Sequence, residues 1–325
     1  MFAVQHLQRQ RTELQEEYEL LSGTIRKLRE NHAIETDPAV MHKLEYQIQE
    51  YEERRDRIVV RIEDLDTKIN TLDHSTNLYH ALLKLDYRNQ VALFRKLLSR
   101  SQVGAFLIYG EPEYGQRWLL NRLIQSVSYC TAGKIVSINL MSIARRWGLG
   151  SLHREFRRQQ GLARTLSLAD VVYQVHSWWQ TQTVILIFHN LNAMDAEHMQ
   201  ELMQGFWRPL VEKAMSEPCS SPNYKLLVFL VDNDGNIASW PFEVAEQIDD
   251  TWQPYIPVKP PKLTPILQDE LMTWMTYEGE RLPLKLQVED ILQRNKDGVP
   301  QIVLEEICDL CDCNWFEREH LWIKY

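Results

Sequence analysis

The sequence predicts an α/β architecture preceded by a helical hairpin, and three observations predict it. Two long stretches within residues 1–75 carry apolar residues at alternating steps of four and three. Four short aliphatic runs then alternate with helical stretches between residues 105 and 231. The first run leads into FLIYGEPEYGQRWLLNRLI (106–124), which reads as strand, glycine, four residues, second glycine, helix. Alternating steps of four and three form a heptad seam, the signature of paired helices. Continuous apolar strands separated by helices read as a mostly parallel sheet covered on both faces.

The first helix has Leu7, Arg11, Leu14, Tyr18, Leu21, Ile25 and Leu28 on its seam. The second has Met41, Leu44, Ile48, Tyr51, Arg55, Ile58, Ile62, Leu65, Ile69 and Leu72. The link between them is short, so the helices are expected to be antiparallel neighbours. Asp37 suits the N-cap, where its carboxylate accepts from a free first-turn amide, and Pro38 suits the next position, where no N–H is needed. Pairing Leu28 with Met41, and so on to Leu7 with Ile62, gives residue numbers totalling 69 in every layer. Each seam arginine then faces an aliphatic residue, its stem on apolar surface and its head in water. Ile69 and Leu72 outrun the first helix. They either dock on the following domain or form a face for a partner protein.

Beyond a junction at 73–83, the strand-like runs are 105–110, 133–140, 183–188 and 225–231, with helical stretches near 115–127, 150–160, 168–180 and 195–215. A short helix is expected in LDYRNQVALFRKLLSRSQ, just before the first run. A proline-rich connection, WQPYIPVKPPKLTP, follows residue 250, and the tail beyond it is mainly helical. The expected domains are 1–75, the hairpin; 76–255, the α/β domain; and 256–325, a small helical or winged lid.

In a working phosphate loop, backbone amides and a helix N-terminus hold the phosphates, a Lys reaches the β- and γ-phosphates, and a Ser or Thr holds Mg²⁺. Here Gly110 and Gly115 keep the backbone outline, but Gln116 is uncharged and Arg117 would repel the metal. Glu111 and Glu113 add negative charge beside the phosphate position. After the strand 183–188, where an Asp would hold the metal and a Glu would activate water, stand His189 and Asn190. Asn is no general base, and neutral His is a poor ligand for Mg²⁺. Asp195 instead suits the cap of the next helix. Four altered positions argue against hydrolysis and against a nucleotide cofactor.

The net charge of -9 argues against generic binding to nucleic acid or anionic membranes. Six arginines nevertheless cluster at 145–164, including Arg154, Arg157 and Arg158. They are either a solvated face pairing with acidic residues or a patch for a phosphate backbone. Cys308, Cys311 and Cys313 lack a second pair of ligands at metal-site spacing, so they read as small apolar residues rather than a zinc site. His176 reads as a packed helix residue. Trp178, Trp179, Trp207 and Trp240 suit the core or a groove. No apolar run spans a bilayer and the start MFAVQHLQRQ has no apolar h-region, so a cytoplasmic protein is expected.

The stretch LDYRNQVALFRKLL…AFLIYGEPEYGQRWLLNRL resembles the inactive STAND domain of bacterial, mainly cyanobacterial, proteins. These are relatives of signal-transduction P-loop ATPases that have lost the nucleotide motifs. In the resemblance, LDYRNQ stands at the box preceding the loop: Arg88 matches its Arg and Tyr87 replaces its Gly. LRENHAIETDPAVMHKLEYQI is similar to a coiled-coil segment found beside effector and STAND-like modules. The resemblance implies an adaptor or regulator in conflict or defence signalling, with other proteins as partners. Two alternatives stay open: a switch that binds ATP or GTP without hydrolysis, and a nucleic-acid module built on the arginine cluster.

Overall fold

The computed structural model describes residues 2–325 except 72, 73, 129, 131, 145–151, 153, 157–166, 236–239, 280, 281, 283–285, 294, 296, 312 and 324. At 2–5, 68–71, 74–76, 143 and 144 it describes the backbone alone. The chain divides into two compact units, Met1–Asn77 and Leu78–Tyr325.

The first unit is the hairpin of α1 (Phe2–Ile34) and α2 (Pro38–Thr71). Asp37 caps α2, its Oδ1 accepting from the Ala39 N–H at 2.9 Å. Leu14, Tyr18, Leu21 and Ile25 are buried on one helix, and Ile58 and Ile62 on the other. The register departs from the seam arithmetic. Ion pairs join Glu17 to Arg54, Arg11 to Asp66, His32 to Glu45 and Arg29 to Glu52. Their numbers total 71, 77, 77 and 81, all above 69, so these four residues of α1 meet α2 further along than expected. A seven-residue repeat fixes the period of a seam but not its phase. Neither seam arginine has its head free in water. Arg11 donates to Asp66 at 3.1 Å, and Arg55 is 4% exposed and bonds Asp56.

The second unit starts within α3 (His74–Leu82), followed by α4 (Arg88–Arg100). The strands are β1 (Val103–Tyr109), β2 (Lys134–Asn139), β3 (Val184–His189) and β4 (Leu226–Asp232). They form one parallel sheet in the order β1-β4-β3-β2. The connecting helices are α5 (Gln116–Gln125), α6 (Met141–Ala144), α7 (Leu168–Trp179), α8 (Ala196–Glu201) and α9 (Arg208–Ser216), with a π-helical turn at Leu202–Trp207 between the last two. After β4 come α10 (Gln268–Glu278), α11 (Val288–Leu292), α12 (Pro300–Leu310) and α13 (Trp315–Trp322).

Side chains alternate along the strands, so each strand feeds two cores. Phe106, Ile187 and Phe229 face one core with Phe94 of α4, Trp118 of α5 and Trp274, Leu304 and Ile307 of the later helices. Leu107, Leu186 and Val228 face the other, with Val175 and Trp179 of α7 and Phe206, Trp207 and Leu210. Burial of each such side chain stabilises the fold by about 1.5–3 kcal/mol, which is why the strands read as continuous apolar runs. The helices beyond residue 260 share the first core, and the Trp274 indole donates to the Ala81 carbonyl at 2.7 Å.

The proline-rich connection contains a feature its composition hides. Val258 pairs in parallel with the outer edge of β1, donating to Ala105 O at 2.8 Å and accepting from the Leu107 N–H at 2.9 Å. Its neighbours Pro257, Pro260 and Pro261 need no ladder donor, as suits an edge position. Among the described residues, no helix is long and apolar enough to cross a membrane.

Candidate functional site

The loop between β1 and α5 is held by close approaches at its glycines. A Cβ on Gly115 (φ 76°) would lie 2.2 Å from the Tyr87 hydroxyl, and one on Gly110 would lie 2.8 Å from Leu263. Gly235 (φ 65°), after β4, packs against the same loop, where a Cβ would lie 2.5 Å from the Gly110 carbonyl oxygen. The backbone shape that binds phosphate elsewhere is thus fixed by packing within this unit.

Several loop side chains are engaged within the unit. Gln116 is 5% exposed, and its Nε2 donates to Gly110 O at 3.0 Å and to Glu111 O at 2.7 Å. Both amide hydrogens therefore serve loop carbonyls, which would otherwise lack these donors. Arg117 points outward and donates through Nη1 to Glu319 Oε1 of α13 at 2.8 Å. Glu111 is paired with Lys262. The Gln301 N–H at the start of α12 donates to Glu113 O at 2.9 Å, so α12 covers part of the loop.

Tyr87 closes the loop from the α3–α4 turn. Asp86 and Tyr87 are consecutive residues at positive φ, 49° and 55°, a region that suits glycine. Such placements cost on the order of 1 kcal/mol each and persist where the surroundings enforce them. Here Arg122 donates to the carbonyls of Leu85 (3.0 Å) and Asp86. The buried Tyr87 donates its hydroxyl to Tyr114 O at 3.1 Å. Arg88 is the first residue of α4 and is exposed. The Asp86 carboxyl is pushed up to about 6, first by burial and then by Glu270.

At the carboxyl edge of the sheet, three asparagine amides are joined by hydrogen bonds. Asn139 at the end of β2 accepts from Asn190 Nδ2 at 2.8 Å, and Asn190 Oδ1 accepts from Asn233 Nδ2 after β4 at 2.7 Å. Asn190 sits at φ 58°, a left-handed conformation that Asn tolerates well. His189 is brought down to about 4 by burial and then by the nearby Arg117, so it is neutral at pH 7. Its ring stacks on Tyr325, with centroids 5.7 Å apart and planes 15° apart. Asp232, fully buried at the end of β4, accepts through Oδ1 from the N–H groups of Asp234 and Gly235 and so shapes the turn. Asp195 caps α8 through the His198 N–H at 2.9 Å.

The structure brings Gly110, Gly115, Gln116, His189 and Asn190 to one end of the sheet, with Arg117 at its rim. Arg154 is exposed on a helical segment, whereas Arg157 and Arg158 lie outside the described residues, as does Leu72 and the side chain of Ile69. Cys308, Cys311 and Cys313 are buried, and Cys308 is pushed up first by its hydrogen bond to Cys313 and then by burial, so it is a neutral thiol. His176 is buried and bonds Glu217 O at 2.9 Å. Trp178, Trp179 and Trp207 are core, while Trp240 is half-buried against Tyr109 and Phe242.

Sequence reasoning missed the parts of Tyr87, Asn139, Asn233, Gly235 and Tyr325. One signal was available: an Asn follows or ends three of the four strand runs. Nothing in the sequence marks Tyr325.

Residues 82–232 match the family model described as inactive STAND. No curated protein matches the chain. Similar solved structures include Cdc6p from Pyrobaculum aerophilum, at 16% identity and a TM-score of 0.43, covering 70% of this chain and 61% of that one. The Aeropyrum pernix ORC2 protein in ADPNP–ADP complexes is similar at 16% identity and a TM-score of 0.41, covering 71% of this chain and 62% of that one. The alignments thus span about three fifths of those two chains.

Proposed function

With residues 82–232 matching the inactive STAND family, we propose that the protein is a non-enzymatic scaffold or adaptor whose degenerate nucleotide site is kept for its fold. One observation carries this reading: the Gln116 amide is buried in its own loop and bonded to the carbonyls of Gly110 and Glu111. A side chain so engaged has no donor left for a phosphate. The asparagine ladder and His189 support the same reading, since together they offer no Mg²⁺ carboxylate and an imidazole brought down to about 4 is only a weak base.

The partners in this reading are other proteins. The setting is bacterial conflict or defence signalling, on the resemblance of both the hairpin and the loop stretch to modules of such systems. The test is titration calorimetry of the intact chain with ATP and GTP, with and without Mg²⁺. No heat at high-micromolar protein is expected. A micromolar Kd would overturn the scaffold in favour of a nucleotide-sensing switch.

A further inference from the structure

The last turn of α12 places two thiols side by side. The Cys311 N–H closes the helix onto Cys308 O at 3.0 Å and Ile307 O at 3.2 Å, and the Cys313 N–H returns to Cys308 O at 2.9 Å. A bond of this last span marks a C-terminal turn in which the third-last helical residue and the second residue past the cap bring their side chains together. Those residues are Cys308 and Cys313, and their thiols are hydrogen-bonded to each other. Helix α13 begins directly afterwards, with Asn314 Oδ1 accepting from the Glu317 N–H at 3.2 Å. The thiol pair therefore sits at the corner from which the terminal helix departs.

A small apolar residue at either position would satisfy the packing. Sulfur at both adds a chemistry that packing does not use. We propose that Cys308 and Cys313 form a reversible oxidation site, closed to a disulfide by hydrogen peroxide, and that closure tethers the start of α13 to the end of α12. The site lies on the C-terminal helices and stands whether or not the loop binds nucleotide.

Cys313 is 8% exposed and Cys308 0%, so the oxidant reaches Cys313 first. The Cys313 thiolate attacks one peroxide oxygen, the O–O bond breaks, and hydroxide leaves a sulfenic acid on Cys313. The Cys308 sulfur then attacks the Cys313 sulfur, the S–O bond breaks, and the departing hydroxide takes the Cys308 proton as water. The sum is two thiols and one peroxide giving one disulfide and two waters. Two equivalents of a small thiol reverse it by exchange. Cys308 is held protonated, first by its hydrogen bond to Cys313 and then by burial, which suits the second step rather than the first. Both sulfurs lie at the negative end of the α12 dipole, where thiolates are disfavoured, so the oxidation is slow and calls for millimolar peroxide.

The test treats the folded, reduced chain with millimolar hydrogen peroxide, alkylates the remaining thiols in denaturant and digests with trypsin. Cys308, Cys311 and Cys313 all fall in peptide 297–318. That peptide should lose two hydrogens and carry a single alkyl group, with fragmentation placing the link between Cys308 and Cys313 and the alkyl group on Cys311. Dithiothreitol should restore three alkylated thiols. The Cys311→Ser chain should form the same link and the Cys313→Ser chain none. Amide exchange over 314–322 should slow roughly ten-fold in the linked chain, because the helix can no longer open from its tethered end. Three alkylated thiols after oxidation, a link through Cys311, or a link that forms only in urea overturns the site. Exchange over 314–322 that the link leaves unchanged overturns the tether.

Discussion

In the hairpin, one layer repeats the next: an aliphatic residue every three or four positions, with charges outside, and no single residue defines the unit. In the loop 110–116 nothing repeats. Gly110, Gly115 and Gln116 each meet a different neighbour at a different distance, and the outcome depends on Tyr87, Leu263 and Gly235 from elsewhere in the chain. A repeating pattern tolerates the loss of any one layer and can slip by a heptad. A converging pattern cannot slip, but one substitution at a converging residue changes what the site does.

That contrast can be broken most severely at Trp118. It is 1% exposed, donates to Leu82 O at 3.2 Å and meets Tyr79, Trp315 and Trp322. Trp118→Ala should destabilise the α/β unit by about 3–5 kcal/mol, read as a lower urea midpoint by near-UV circular dichroism. In the hairpin the corresponding deletion is Ile62→Ala, at a fully buried seam position. Its expected cost is about 2–4 kcal/mol, confined to the helical signal of residues 2–71. Equal loss of sheet protection in hydrogen exchange would show that the two regions do not differ as argued.

At the loop, Gln116→Ala leaves the Gly110 and Glu111 carbonyls without their donor and should cost about 1–3 kcal/mol. Gln116→Lys should also destabilise, since it buries an ammonium, and should gain no ATP heat by calorimetry. Recovery of nucleotide binding by that single change would mean that one side chain, rather than the converging set, closed the site.

A smaller effect separates two titrating groups. Asp86 has a folded value near 6 against an ordinary 3.8. Its contribution is therefore fully present below 3.8 and is lost as pH rises through about 6. His189 has a folded value near 4 against 6.5, so its contribution is present above 6.5 and is lost as pH falls through about 4. The two slopes oppose each other between pH 4 and 6. Asp86→Asn should remove one of them, so that its stability relative to the unaltered chain grows by on the order of 2 kcal/mol from pH 4 to pH 7. Urea midpoints across that range would show it, and a constant difference would refute the assignment. The smallest effect is expected at the exposed Arg88, where Ala should shift stability by no more than about 0.5 kcal/mol.

Much of this was legible from local pattern. The four strands fall within a residue or two of the aliphatic runs at 105–110, 133–140, 183–188 and 225–231. Asp37 and Asp195 cap the helices they were expected to cap. Residues 116, 117, 189 and 190 could be placed at the strand ends because strand, glycine spacing and helix locate them without any tertiary information. The hairpin register was less legible, because a seam that repeats every seven residues admits neighbouring alignments.

The sequence by itself determined the period of each element, the order of strands and helices, and the side-chain types at 116, 117, 189 and 190. These follow from side-chain chemistry and from spacings of two and 3.6 residues, which act over a few positions. Only the tertiary structure decided where the remaining groups went. Gln116 turns inward because two carbonyls of its own loop lie within reach. Tyr87 adopts a glycine-like backbone because Arg122 and the core hold its turn. Tyr325 reaches His189 across more than a hundred residues of chain. The last two are contacts between segments distant in sequence. Such contacts are set by how the two cores fill, and no local spacing encodes them.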